Sequence, residues 1–130
     1  EMLDFPLKTA CCGASFGIPE RPMTAKNSGR ILELATRIGA DAVVVACPLC
    51  QMNLDLRQDQ ASKEMDTHFN MPVLYFTQMM GIAFDLPEEE LGLNKLCVSP
   101  NGLIRKLGEL RREEAAKPTE QKAKTAEGGR

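Results

Sequence analysis

Apolar and polar positions change period several times along this chain, and each change predicts an element. Ile31, Leu34, Ala35 and Ile38 recur at helical spacing, which predicts a helix from about Met23 to Ile38, stopped by Gly39. Ala42-Val43-Val44-Val45-Ala46 is a continuous apolar run, as suits a strand buried on both faces of a parallel sheet. Pro48 fits the first turn of a helix that would run through Leu49, Met52, Leu54 and Leu56 towards Met65. Val73-Leu74-Tyr75-Phe76, entered through Pro72, predicts another strand, with Thr77 placed to cap a helix through Met80, Ile82 and Phe84. A shorter β-prone run, Leu7 to Cys11, follows Pro6 and predicts a first strand. Residues 13–22 read as a loop. Pro87 opens a short acidic helical turn, and Leu103 to Ala115 forms a last helix with Ile104, Leu107 and Leu110 on one side.

The order β-α-β-α-β-α implies an α/β fold: a parallel sheet with flanking helices, joined by right-handed crossovers. Residues 1–115 are expected to form one domain, and residues 116–130 a polar, disordered tail. In such sheets the carboxyl ends of neighbouring strands lie side by side, and sites form at that edge.

Composition narrows the class without naming a chemistry. The chain has 130 residues, 43% hydrophobic and 26% charged, enough for one compact domain with a proper core. Its net charge of −2 argues against general affinity for nucleic acid. Residues 105–130 hold eight Lys/Arg against five Asp/Glu, which reads as a solvated basic tail. No apolar run is long enough to span a bilayer, and no signal peptide is visible, so a cytoplasmic protein is expected. The abrupt start at Glu1, close to the first expected strand, reads as a fragment of a longer protein.

The chemistry lies in the cysteines. Four of the five fall in two tight sets, Cys11-Cys12-Gly13 and Cys47-Pro48-Leu49-Cys50, with 34 residues between Cys12 and Cys47. In a reducing compartment such sets indicate metal or redox chemistry ahead of a disulfide framework. Neighbouring residues of a strand point to opposite faces, so Cys11 and Cys12 converge only at a bend, which Gly13 permits. Cys47 and Cys50 bracket a helix start, whose free N–H groups favour thiolate. Both sets are expected at strand ends, one crossover apart. Four sulfurs select zinc or iron–sulfur; adjacent cysteines suit tetrahedral zinc poorly and suit a wider, multi-iron cluster. A bare dithiol redox centre is the third reading. Inert buried thiols are the bland one, and it suits a lone cysteine better than this constellation.

At this point the pattern C-C-G, 34 residues, C-P-L-C resembles the CCG domain of the heterodisulfide reductase family, in its B-type subunits. The segments Ala46 to Asp55 (ACPLCQMNLD) and Met71 to Gln78 (MPVLYFTQ) are similar to the B-type subunits specifically, as is Glu90-Leu91-Gly92-Leu93 with Val98-Ser99-Pro100. The likeness covers about Leu7 to Leu110. It implies an iron–sulfur catalytic subunit in which two CCG domains each hold a noncubane [4Fe-4S] cluster on five cysteines and together split a disulfide of small coenzyme thiols. Electrons would arrive from a flavin subunit through a separate iron–sulfur subunit. Cys11, Cys12, Cys47 and Cys50 would then be four of the five ligands. The resemblance puts the fifth before Glu1, together with a whole first CCG domain, so the chain alone is expected to be inactive. Two alternatives stand beside this one: a structural zinc module serving assembly, and the same domain in a lactate, glycolate or succinate oxidoreductase.

The remaining candidates have plainer readings. Cys97 is expected to be a semi-buried thiol outside the ligand set. The N–H groups of Gly13 and Gly17 either face a cluster or simply make a turn. Thr77 and Gln78 lie near the expected site but suffice as helix cap and surface polar group. His68 is expected to be exposed, Met79-Met80 to pack in the core, and Glu88-Glu89-Glu90 to favour a helix start.

Overall fold

A computed structural model describes residues 1–116. Among these residues are five α-helices and a two-stranded parallel sheet, so the expected α/β class is found. The strands are β1, Val43–Val45, and β2, Val73–Tyr75. They pair in register Val43 to Val73, Val44 to Leu74 and Val45 to Tyr75. Helix α1 spans Arg21–Arg37 and precedes β1; α2, Pro48–Leu56, and α3, Gln58–Glu64, make the crossover between the strands. Helix α4, Phe76–Ala83, leaves β2 without a loop. Contacts divide the chain into a unit from Glu1 to Pro100 and a second beginning at Asn101. The described part of the second is α5, Asn101–Ala116, none of whose residues is buried. The tail expected at 116–130 lies outside the described residues apart from Ala116.

The core of the first unit forms where the apolar stripe of α1 meets the crossover and β2. Ile31, Leu32 and Ala35 of α1 pack with Leu54, Ala61, Phe69, Met71 and Val73, and Leu32 and Val73 are wholly buried. Each such aliphatic side chain contributes about 1.5–3 kcal/mol by leaving water. Helices α1 and α3 approach closely because Gly29 has no side chain; a Cβ there would stand 2.5 Å from Cγ of Met65.

Five local expectations are corrected. Leu7 to Cys11 is not a strand: the segment is set by turns, Lys8 N–H donating to the Phe5 carbonyl at 3.1 Å and Ala10 N–H to that of Leu7 at 2.9 Å. Pro6 fixes its own φ and offers no N–H, and the groups a ladder would use are spent locally. The single helix expected from 48 towards 65 breaks at Arg57, whose φ of −110° and ψ of 22° end α2 and begin α3. The break lets Gln58 exchange two hydrogen bonds with the backbone of Met71, donating at 2.6 Å and accepting at 2.9 Å. Val44 is 46% exposed, so β1 is not covered on both faces, and Met80 is half-exposed where core packing was expected. Tyr75, not Thr77, stands at the N-cap of α4. Gln78 accounts for the local order there, accepting from Tyr75 N–H at 2.9 Å and donating to the Leu91 carbonyl at 3.0 Å.

Candidate metal centre

The two cysteine sets meet. Sγ of Cys12 and Sγ of Cys50, 38 positions apart in sequence, lie 3.3 Å from each other. Each set supplies one inner and one outer sulfur: Cys12 is buried and Cys50 half-buried, whereas Cys11 and Cys47 are exposed. The vicinal set occupies the bend between the turns after Pro6 and a 3₁₀ turn, Ala14–Phe16. Gly13 makes that bend with φ +79°, a region other residues enter only under strain. Its N–H donates to Sγ of Cys11 at 3.4 Å. The Gly17 N–H instead closes the 3₁₀ turn onto the Ala14 carbonyl, so for Gly17 the turn reading holds.

The second set opens α2. Cys47 is the N-cap residue, with extended backbone, and Pro48 begins the helix. No cap hydrogen bond of ordinary geometry leaves the Cys47 side chain. The free N–H groups of Cys50 and then Leu49 nevertheless face its sulfur and hold the thiol below the usual cysteine range. Cys50 goes the other way, pushed up to about 12, first by burial and then by the neighbouring Cys12 and Cys47 sulfurs. Cys50 thus lies within electrostatic reach of both Cys12 and Cys47.

Among the described residues no three Cys, His, Asp or Glu side chains close around a volume sized for one metal ion. A tetrahedral zinc site would need four ligands near ~2.3 Å from a common centre. The donor chemistry still suits a soft metal, and the paired inner sulfurs with flanking outer ones suit a group wider than a single ion.

Three buried side chains escaped the sequence reading. Asn53 Nδ2 donates to Ser28 Oγ at 2.7 Å and to the Cys12 carbonyl at 3.3 Å; Ser28 Oγ donates to the same carbonyl at 3.2 Å. Thr24 Oγ1 donates to the Gly13 carbonyl at 2.9 Å. Their only sequence signal is a polar residue on an apolar helix face: Ser28 precedes Ile31, Leu32 and Ala35 on the buried stripe of α1. Arg57 adds a further tie, donating to the Gly17 carbonyl at 2.7 Å.

Cys97 is exposed, not semi-buried. Its N–H and that of Val98 donate to the two carboxylate oxygens of Asp55 at 2.8 and 3.1 Å. Local desolvation and that carboxylate push its thiol up, away from thiolate at neutral pH. His68 is exposed, as expected.

These features define a paired-cysteine centre in an α/β unit, and residues 1–55 match the family model of the cysteine-rich domain, CCG. The chain carries that domain and is a relative of the B-type subunits of heterodisulfide reductase. The B-type subunit of the ferredoxin:CoB-CoM heterodisulfide reductase of Methanosarcina mazei is 30% identical over 112 residues, covering 83% of this chain and 37% of that protein. The 8-methylmenaquinol:fumarate reductase membrane anchor subunit of Wolinella succinogenes is 36% identical over 94 residues, covering 72% of this chain and 33% of that protein. A protein of Archaeoglobus profundus, itself described as like the B-type heterodisulfide reductase subunit, is 36% identical over 69 residues, covering 52% of this chain and 22% of that protein. The chain therefore spans about a third or less of the length of these relatives. By name, the Methanosarcina and Wolinella relatives are subunits of reductases. No helix among the described residues is long and apolar enough to cross a membrane.

Proposed function

We propose that this chain is the cluster-binding part of the catalytic iron–sulfur subunit of a heterodisulfide reductase-like complex. Cys11, Cys12, Cys47 and Cys50 supply four of five thiolates to a noncubane [4Fe-4S] cluster. The observation that carries this reading is the 3.3 Å contact between Cys12 and Cys50, which joins motifs far apart in sequence. Bound there, the cluster would supply one-electron redox chemistry. The protein's own part is to present the thiolates, to bury Cys12 and half-bury Cys50, and to leave the Cys11 and Cys47 side open to a substrate disulfide. Electrons would come from a flavin subunit through an iron–sulfur subunit, with a second CCG domain and the fifth ligand completing the site. A thiol set of this kind belongs in a reducing compartment such as the cytoplasm.

A second reading has a specific observation behind it. The fumarate reductase relative is more nearly identical to this chain than the Methanosarcina protein is, 36% against 30%. The same centre would then pass electrons within a quinol- and fumarate-linked oxidoreductase. A zinc assembly module is the weaker alternative, because adjacent cysteines suit tetrahedral zinc poorly.

Anaerobic reconstitution of the full-length protein tests the main reading. It should bind iron and acid-labile sulfide, and Cys47→Ser should lower both. Colourless protein that holds zinc and no sulfide would overturn it. Oxidation of the reduced cluster by a coenzyme disulfide, and not by fumarate, separates the first reading from the second.

A further inference from the structure

We propose that Asn53, acting with Ser28 and Thr24, is the positioning device that sets Cys12 against Cys50. This deepens the reading of these cysteines as ligands and rests on it. The vicinal cysteines lie in a bend without a ladder to hold them, so their backbone must be fixed by something else. The Cys12 carbonyl has two lone pairs, and both are used, one by Ser28 Oγ and one by Asn53 Nδ2. The Asn53 amide nitrogen donates to both that carbonyl and Ser28 Oγ. The result is a closed ring of three hydrogen bonds, and the Thr24 hydroxyl fastens the next carbonyl along. Thr24, Ser28 and Asn53 are each 1% exposed, so water cannot replace a lost partner cheaply.

Helix geometry turns this ring into a spacing device. Thr24 and Ser28 stand four apart on α1 and share a face; Cys50 and Asn53 stand three apart on α2 and share another. The face of α2 that carries the Cys50 thiol thus also carries the amide gripping the Cys12 backbone. The distance between the inner sulfurs follows from that common origin. Asn53 is a positioning residue and acts only through Cys12.

The test reads sulfur proximity directly, in reduced, chelator-treated chain, and so does not depend on any cluster. One equivalent of diamide oxidises two thiols to a disulfide and takes up their two electrons and two protons as the hydrazine. Peptide mapping by mass spectrometry then gives the share of Cys12–Cys50 among all disulfides formed. In the wild type this pair should take a measurable share, behind disulfides begun by the exposed Cys47 thiolate, and the variants are read against that share at one fixed pH. Asn53→Leu should cut its share about fivefold and Ser28→Ala about threefold, with cooperative thermal unfolding retained, and Ser28→Thr should restore it. Should Asn53→Leu fail to fold, the Ser28→Ala and Ser28→Thr pair decides alone. Wild-type shares in folded Asn53→Leu or Ser28→Ala, or no restoration in Ser28→Thr, would overturn the proposal. Wild-type chain that passes this test but binds no iron would instead overturn the ligand reading.

Discussion

The two cysteine segments end at one sulfur contact, yet different forces hold them there. Around Cys47 and Cys50 the order is local: Cys47 takes the N-cap position, Pro48 starts the helix, and Cys50 follows within the first turn. Around Cys11 and Cys12 it is imported: the bend depends on the left-handed Gly13 and on side chains 11 to 41 positions away. The contrast extends to electrostatics, since an exposed helix start lowers one thiol while burial beside other sulfurs raises its neighbour. A segment that builds its own geometry tolerates change around it, whereas a segment held from outside fails when any holder is removed.

The largest effect should appear in thiol reactivity. Thiolate is the nucleophile, so a lowered pKa brings reactivity at lower pH and a raised one delays it. In reduced, metal-free chain at pH 8, a thiol with pKa about 12 is ionised in about one molecule in ten thousand. Iodoacetamide should therefore modify Cys47 at least about a hundredfold faster than Cys50. The Cys50 rate should still climb with pH above 10, where that of Cys47 has levelled off. Equal rates, read by peptide mass spectrometry against pH, would remove the electrical half of the comparison.

Next comes Gly13→Ala. An alanine at φ +79° takes on left-handed strain, and its Cβ would stand 3.1 Å from Nδ2 of Asn27. A loss of about 1–2 kcal/mol is expected in urea denaturation. A neutral result would mean that the bend is not fixed by its backbone conformation.

What could be read in advance follows the same division. The start of α2 was legible because Pro48, the capping position and the C-x-x-C spacing act within one turn. Gly13 was legible for a similar reason. The strand expected at Leu7 to Cys11 was not found, because β-propensity over five residues yielded to the turns that follow Pro6. The break at Arg57 was hidden too; it answers to Gly17 and Met71, which no local pattern connects to it. Asn53, Ser28 and Thr24 look ordinary in sequence, and only their shared target, the backbone of Cys12 and Gly13, gives them a role. The cysteines announced the chemistry of the centre, but the groups that space them became visible only in three dimensions.

The smallest effect is expected from Pro48→Ala, and its smallness is the point. Pro48 occupies the first turn of α2, where a missing N–H costs no hydrogen bond and a fixed φ suits the helix. Alanine accepts the same backbone and is a better helix former, so the native state loses no partner. What changes is the unfolded chain, which gains freedom, and stability should fall by about 0.4–1 kcal/mol. Cys47 should keep its lowered pKa, because the N–H groups of Cys50 and Leu49 that face its sulfur remain in place. Urea denaturation together with the Cys47 alkylation profile checks both statements. A large loss of stability, or a Cys47 profile moved up to the ordinary cysteine range, would show that this segment is not self-supporting and that both cysteine sets depend on outside holders.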